Sequence, residues 1–261
     1  MKVTLYTRNN TPEYNEGLQA LCNALQDSGI TIVDNWNPPQ PVDIVISVGG
    51  DGTLLSAVHK IGKCGIPVLG INFGHLGFLT TAGRDDIQLL VDCLINKHYS
   101  VEKRSILQVN TDNQTLYALN EVYLHRVEHS PLLHTQVEVD NIQVATYSAD
   151  GLIVATPTGS TAYSLSCGGP ILAPGSGSLV ITPIAAHTLT LRPLVVSDNS
   201  HIRLRNYEPD ALCTLGADSF VTTISGPQTV LVSKADYDVS IIRLANQNFY
   251  TAIRNKLMWG R

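Results

Sequence analysis

An α/β domain built on a parallel sheet with flanking helices, followed by an all-β domain and a closing helix, is the fold class this sequence predicts. Three observations predict it. Over about the first 95 residues, β-branched runs alternate with segments of helical spacing, as strands do when they return in parallel through helices. After Tyr99 the pattern changes to short β-rich segments parted by turn residues. From Asn246 to Trp259, Phe249, Ile253 and Leu257 recur at helical spacing. On this reading residues 1–100 form the first domain, 101–240 the second, and 241–261 a segment that returns to the first.

Residues 3–6 open the chain as a strand. Thr11-Pro12-Glu13 reads as an N-cap, a proline at the first helical position and an acid in the first turn. Leu18, Leu21, Cys22 and Leu25 line one face of that helix, and Gly29 is placed to end it. A short strand over 31–33 and the proline-rich loop 37–41 lead to residues 42–48, a β-branched run of the kind buried in parallel sheets. Leu54, Leu55, Ala57, Val58 and Ile61 give the next helix, expected to start near Thr53. Residues 67–72 are a further buried strand, and 85–96 a helix with Ile87, Leu90, Val91 and Leu94 inward. In the second domain, strands are expected at 106–110, 115–119, 122–126, 135–139 and 143–148, with Asp140-Asn141 as a hairpin turn. Others follow at 179–182, 201–204, 211–215, 220–224 and 229–232.

The 261 residues are enough for two domains with real cores. A formal net charge of −5 without a basic run argues against a nucleic-acid backbone or an anionic membrane as partner. The N-terminus lacks the apolar core of a signal peptide, and no segment is long enough to span a bilayer. Cys22, Cys64, Cys93, Cys167 and Cys213 are scattered, which fits buried thiols in a reducing cytoplasm.

The chemistry gathers around Ser47-Val48-Gly49-Gly50-Asp51-Gly52-Thr53. Its three glycines remove the Cβ atoms that would hold a phosphate or ribose away from the backbone. The helix that follows aims its unpaired N–H groups and positive dipole end at them. Asp51 places a carboxylate in that cradle, which suits a base beside a phosphate, or a metal ligand. Taken alone, the stretch is equally well read as ordinary turn chemistry. A second glycine-bearing loop, Asn72-Phe73-Gly74-His75-Leu76-Gly77-Phe78, follows the next strand. Ligands of open α/β sheets sit beyond the carboxyl ends of strands, so the two loops could share a crevice. A plain connection with Phe73 and Phe78 in the core has nearly equal support. In the β-rich half, Asn120-Glu121 sets an amide beside a carboxylate at a strand entrance, a pair able to bind a diol and a base edge, or simply a turn. Residues 150–170 run from a strand into a loop dense in hydroxyls and glycine, suited to nucleotide polar atoms. Residues 182–194 hold His187 and Arg192 among prolines.

Taken together, these stretches resemble the NAD kinases, which phosphorylate the 2′-hydroxyl on the adenosine ribose of NAD. The resemblance covers nearly the whole chain: Gly49-Gly50-Asp51-Gly52-Thr53, Asn120-Glu121, the 156–170 loop, the loop at Thr182, Arg192-Pro193, and the closing Lys256-Leu257-Met258-Trp259-Gly260. The glycine motif alone is shared with diacylglycerol and sphingosine kinases and related phosphofructokinases; its combination with Asn120-Glu121 and the 156–163 segment is specific to the family. The resemblance implies that Asp51 is the general base for the ribose 2′-hydroxyl and that Gly49, Gly50 and Gly52 admit the donor's phosphates. It implies that Asn120 and Glu121 hold adenine and ribose, with Thr161, Ala162, Tyr163 and Ser166 completing the adenine pocket. Asp150 and Ala185 match positions that contact NAD near its nicotinamide end, partly across a subunit interface, and Phe73 and Gly74 line the cleft. Where the family usually reads Asp-Gly-Gln, this chain has Ala217-Asp218-Ser219-Phe220, which leaves the role of that loop open.

The reaction so implied is in-line transfer from ATP, or polyphosphate, to NAD. Mg²⁺ or another divalent cation arrives with the nucleotide rather than in a protein cage. There is no Gly-x-x-x-x-Gly-Lys-Ser/Thr, so this is not a P-loop enzyme. Arg104, Thr158, Ser160 and His187 are further candidates for phosphate or loop contacts, although a surface charge is the weightier reading of Arg104. Histidines 125, 129 and 134 lack ligand-like spacing, and no metal site is assigned to them. The resemblance also implies a homodimer or homotetramer. Two rivals stand beside the kinase: a non-catalytic NAD-binding regulator, which Asp51 argues against, and a lipid kinase, whose later motif and membrane-binding element are not found.

Overall fold

The computed structural model describes residues 1–8, 11–74, 77–128, 130–188, 190–208, 212–244 and 247–259. The chain forms two compact units, residues 1–103 with 239–261 and residues 104–238. It passes from one unit to the other inside two long strands, Tyr99–Asn110 and Gln228–Leu244.

In the first unit the elements run β1 (Lys2–Thr7), α1 (Pro12–Asp27), β2 (Thr31–Ile32), β3 (Ile44–Val48), α2 (Asp51–Ile61), β4 (Val68–Ile71) and α3 (Ile87–Asn96). The strands β2, β1, β3 and β4 lie side by side in that order, all parallel, and Ile241 pairs in parallel with Val68 of β4. The alternation of strand side chains divides the helices between faces. Ile44, Ile46, Val48, Leu69 and Ile71 share a core with Leu21 and Leu25 of α1 and Leu90, Val91 and Leu94 of α3. On the other face Gly70 meets Leu54 of α2 so closely that a Cβ there would lie 2.8 Å from the leucine. α1 ends as its sequence predicts, with Gly29 at φ +74. α2 begins at Asp51, two residues before the expected start, because Gly50 is extended and its carbonyl accepts from the N–H groups of Thr53 and Leu54. The expected helix from residue 85 opens as a 3₁₀ turn, Arg84–Asp86, since Asp86 takes the Gly83 N–H at 2.7 Å. The closing helix α5 (Phe249–Lys256) is capped by Asn248, which accepts from the Thr251 N–H; its expected beginning at Asn246 and the terminal Gly260 lie outside the described residues.

The second unit is a β-sandwich. It starts on β5 (Tyr99–Asn110) and continues through β6 (Thr115–Ala118), β7 (Glu121–Arg126), β8 (Leu133–Val139), β9 (Ile142–Ala149) and β10 (Gly151–Ala155). After α4 (Tyr163–Ser166) come β11 (Ser178–Ile184), β12 (Leu194–Ser197), β13 (Ile202–Asn206), β14 (Leu212–Ala217), β15 (Phe220–Ser225) and β16 (Gln228–Leu244). One sheet has the antiparallel order β12-β11-β10-β7-β14-β15. Facing it are β9, β8, β13 and the first half of β16. Val122, Leu124, Leu152, Val154, Leu179 and Ile181 meet Leu133, Val137, Ile202, Leu204, Val230 and Val232 between them. The residues of opposite parity, Ile153, Ala155 and Val180, form a second cluster under Tyr163, Cys167 and Leu172, so the 156–172 segment roofs the outer face of the first sheet. The expected hairpin at Asp140-Asn141 is present, with both residues at positive φ as a type I′ turn requires.

Two features depart from the sequence reading. β12 had no strand signal, its alternate residues being only half-buried. β16 is 17 residues long where a strand over 229–232 was expected, because Lys234, Asp236 and Asp238 break the apolar pattern; Lys234 is paired with Asp198 at 2.7 Å. The expected start of the 211–215 strand, Ala211, lies outside the described residues. Of the five cysteines, all free, only Cys93 and Cys213 are buried and Cys64 is exposed, so the expectation of uniformly buried thiols does not hold. Among the described residues no helix is long and apolar enough to cross a membrane.

Candidate active site

In the first unit the glycine turn and the second glycine loop leave the carboxyl ends of the adjacent strands β3 and β4, where open α/β sheets place ligands. Asp51 is the first residue of α2. Its Oδ2 accepts from the Phe78 N–H at 2.8 Å and its Oδ1 from the Leu79 N–H at 3.1 Å. A carboxylate has about four lone-pair positions, so each oxygen keeps one after these bonds. Gly77 lies directly against this group, and a Cβ there would stand 1.8 Å from Asp51 Oδ1. The three glycines of the turn differ. Gly49 has φ +154 and leaves room for Thr53, whose Oγ1 would lie 2.3 Å from a Cβ. A Cβ on Gly50 would come no nearer than 3.7 Å to Asn72 Nδ2 and one on Gly52 would meet nothing within 4 Å, so packing among the described residues does not call for glycine at either. Phe73 turns its ring onto α1, 5.1 Å from Tyr14 and over Gly17, while Gly74 gives its N–H to Asn72 Oδ1. His75 and Leu76 lie outside the described residues.

The second unit gathers its buried polar groups around Asn120 and Glu121. Asp218 holds their backbone: Oδ2 accepts from the Leu119 N–H, and Oδ1 from those of Asn120 and Glu121, at 2.7, 2.9 and 3.2 Å. The loop left open by the sequence is therefore the clamp of the pair. Its residue has φ +49, a conformation Asp tolerates because its short side chain bonds locally. From the other side Thr156 gives its hydroxyl to Leu119 O and its N–H to Asn120 O. Gly159 passes so close that a Cβ would lie 2.1 Å from Asn120 O. With the backbone locked, Asn120 Oδ1 and Glu121 Oε2 are buried and have no hydrogen-bond partner among the described residues. Burial first, then the charge of Asp218, pushes the Glu121 carboxyl up to about 8, against a smaller lowering by the Tyr163 N–H. Tyr163 stacks edge-on against Tyr123 at 5.8 Å, and Tyr123 lies on Gly216. Thr161 and Ala162 are half-buried beside Tyr163, and Ser166 is exposed.

Other candidates take different places. Arg104 is 3% exposed and gives Nη1 to Thr158 Oγ1 at 3.4 Å, which overturns its reading as a surface charge. The Ser160 hydroxyl is used inside its own loop, donating to Pro157 O and accepting from the Leu172 N–H. Asp150 pairs with Arg126 at 2.6 Å. Ala185 is exposed at φ +47, an uncommon conformation for alanine of the kind found at ligand contacts. His187 is exposed, its N–H on Ser148 O. His125 and His134 use Nδ1 on Arg126 O and Ser148 Oγ, and His129 lies outside the described residues. The described residues contain no group of three or more His, Cys, Asp or Glu side chains placed to hold a metal ion.

Known proteins resemble this chain over most of its length. Residues 10–99 match the family model of the ATP-NAD kinase N-terminal domain, and residues 119–244 that of the ATP-NAD kinase C-terminal domain. An NAD kinase of Bacteroides fragilis is 40% identical over 222 residues, 84% of this chain and 77% of that protein. One of Porphyromonas gingivalis is 42% identical over 224 residues, 85% of this chain and 78% of its own. In fold, the chain is similar to yeast NADH kinase complexed with NADH, with a TM-score of 0.88 at 23% identity over 100% of this chain and 88% of that one. It is also similar to an NAD kinase from Archaeoglobus fulgidus in complex with ATP, with a TM-score of 0.81 at 24% identity over 99% and 98%.

Proposed function

The chain belongs to the NAD kinase family of phosphotransferases, and from that footing we propose that Asp51 is its general base and Asn120 and Glu121 its ribose and adenine anchors. The observation that carries the base assignment is the Asp51 carboxylate itself, fixed by two N–H groups at a helix start with a lone pair left on each oxygen. A secondary alcohol attacks phosphorus poorly until its proton is accepted. Asp51 takes the proton of the adenosine ribose 2′-hydroxyl as that oxygen bonds the γ-phosphorus of ATP; the bond to the β,γ-bridging oxygen breaks and ADP leaves with the electron pair. Gly50 and Gly52 leave room for the donor's phosphates beside the α2 N-terminus. The buried, unmatched oxygens of Asn120 and Glu121 suit the hydroxyl and base-edge groups of an adenosine, with Thr161, Ala162, Tyr163 and Ser166 beside them.

Asp150 and Ala185 serve the nicotinamide end, and Phe73 and Gly74 the cleft wall. ATP is the donor, as the archaeal relative in fold was seen with ATP. A divalent ion such as Mg²⁺ would come with the nucleotide and would supply positive charge to the transferring group. The enzyme works in the cytoplasm as a homodimer or homotetramer. The test is NADP⁺ formation from NAD⁺, ATP and Mg²⁺ by the wild type and Asp51→Asn, with NAD⁺ binding measured by calorimetry. Activity that collapses while binding persists supports the base. Wild-type protein that binds NAD⁺ but forms no NADP⁺ with ATP or polyphosphate is instead a binding regulator.

A further inference from the structure

We infer that Arg243 is the positioning residue for Asp51, acting through the peptide group between Phe78 and Leu79; the inference rests on Asp51 as the base. Arg243 stands in the apolar run Ile241-Ile242-Arg243-Leu244 and is only 6% exposed. All three arms of its guanidinium are engaged. Nε donates to Glu102 Oε2 at 3.1 Å, Nη1 to Leu79 O at 3.3 Å and Nη2 to Phe78 O at 3.1 Å. The Phe78 carbonyl and the Leu79 N–H belong to one peptide plane. Its oxygen accepts from Arg243 and its N–H donates to Asp51 Oδ1. A cation on the oxygen draws electron density from the peptide nitrogen and strengthens the N–H as a donor, as linked hydrogen bonds polarise one another.

Leu79 and Thr80 of this loop are buried and Phe78 is half-buried. Beside it lies a cavity of about 170 Å³ lined by Phe78, Thr80, Arg243, Phe249 and Ala252. Guanidinium supplies what the cavity does not, because its planar fork holds two successive carbonyls in a fixed geometry that a lysine ammonium cannot reproduce. Glu102, in turn, neutralises the buried cation and sets its plane. The chain Glu102–Arg243–peptide–Asp51 thus fixes where the base stands.

The test measures kcat and KM for NAD⁺ and ATP in Arg243→Met, Arg243→Lys, Asp51→Asn and the double variant Asp51→Asn/Arg243→Met. Thermal melts report folding. Loss of positioning lowers kcat about tenfold or more in Arg243→Met, with each KM within about threefold of wild type. Arg243→Lys keeps the charge but not the fork, and its kcat falls roughly three- to fivefold. In the Asp51→Asn background the Met substitution costs no more than about twofold further, because the group it positions is gone. The inference is overturned if kcat of Arg243→Lys matches wild type, if the loss lies in KM, or if the full loss recurs on Asp51→Asn. Should Arg243→Met melt far below wild type, Arg243→Lys decides on the same kcat and KM criteria. Asp51→Asn at the wild-type rate sinks the base assignment itself, which distinguishes that failure from one confined to Arg243.

Discussion

Asp51 and Glu121 are carboxyl groups in sites of the same family motif set, yet the protein treats them in opposite ways. Asp51, half-buried at the start of α2, receives an N–H on each oxygen and lies against a glycine that lets the loop close on it. Glu121 is buried with Oε2 unmatched, beside an equally unmatched Asn120 Oδ1, while three N–H groups of the same backbone are taken by Asp218. The first arrangement completes the group before any substrate arrives, as preorganisation for a reacting step demands. The second leaves buried polar atoms whose desolvation is offset only when a ligand brings partners, which favours binding over chemistry. In the proposed roles, Asp51 is a fixed base and Glu121 part of an incomplete binding shell.

Changing each acid to its amide breaks the comparison most sharply. Asp51→Asn loses proton-accepting capacity, and NADP⁺ formation falls by about 10³-fold at saturating substrates, within the range for a lost general base. Glu121→Gln keeps kcat within about fivefold and raises KM for NAD⁺ instead, the signature of lost uniform binding. Steady-state kinetics of the pair checks this, and equal kcat losses would erase the distinction. Next in size is Gly77→Ala. Its Cβ meets the Asp51 carboxylate, which must release the Phe78 and Leu79 N–H groups to make room. kcat drops about 10- to 100-fold with NAD⁺ binding retained, since a misplacement near 1 Å is worth that much. Asp218→Asn is milder. It keeps an acceptor and tolerates φ +49, but loses the charge that holds three N–H groups. Chemical denaturation should show a loss of about 1–3 kcal/mol, accompanied by weaker NAD⁺ binding and unchanged behaviour of the Asp51 half.

What could be read in the sequence follows the range of the interactions. The parallel strands and their helices come from local periodicity, and so does the placement of Asp51 beyond a strand end. Asp218, Gly77 and Arg243 act on residues far away in the chain, and periodicity carries no such information. Arg104 did leave a trace. It shares strand parity with buried Ile106, so an alternating strand turns it inward, but the neighbouring Lys103 made the pair look like surface charge. The last half of β16 was hidden similarly, by charged residues satisfied through partners such as Asp198.

A last effect concerns the state of Glu121 and is read as stability against pH. Its carboxyl is raised to about 8 in the folded protein, by burial first and by Asp218 second, from an ordinary value of 4.5. The folded chain therefore holds a proton there over a window in which the unfolded chain has lost it. Stability falls as pH rises wherever the folded state binds more protons. The cost of Glu121 thus begins near pH 4.5, grows to about pH 8 and is constant above it, with an upper bound of about 5 kcal/mol. Glutamine cannot ionise, so Glu121→Gln gains on the wild type steadily through that window and then runs parallel to it. Urea midpoints of both proteins from pH 5 to 9, without NAD⁺, measure the difference. If the two profiles stay parallel throughout, Glu121 is as fully satisfied in the empty protein as Asp51, and the division between a finished reagent and an unfinished shell has to be given up.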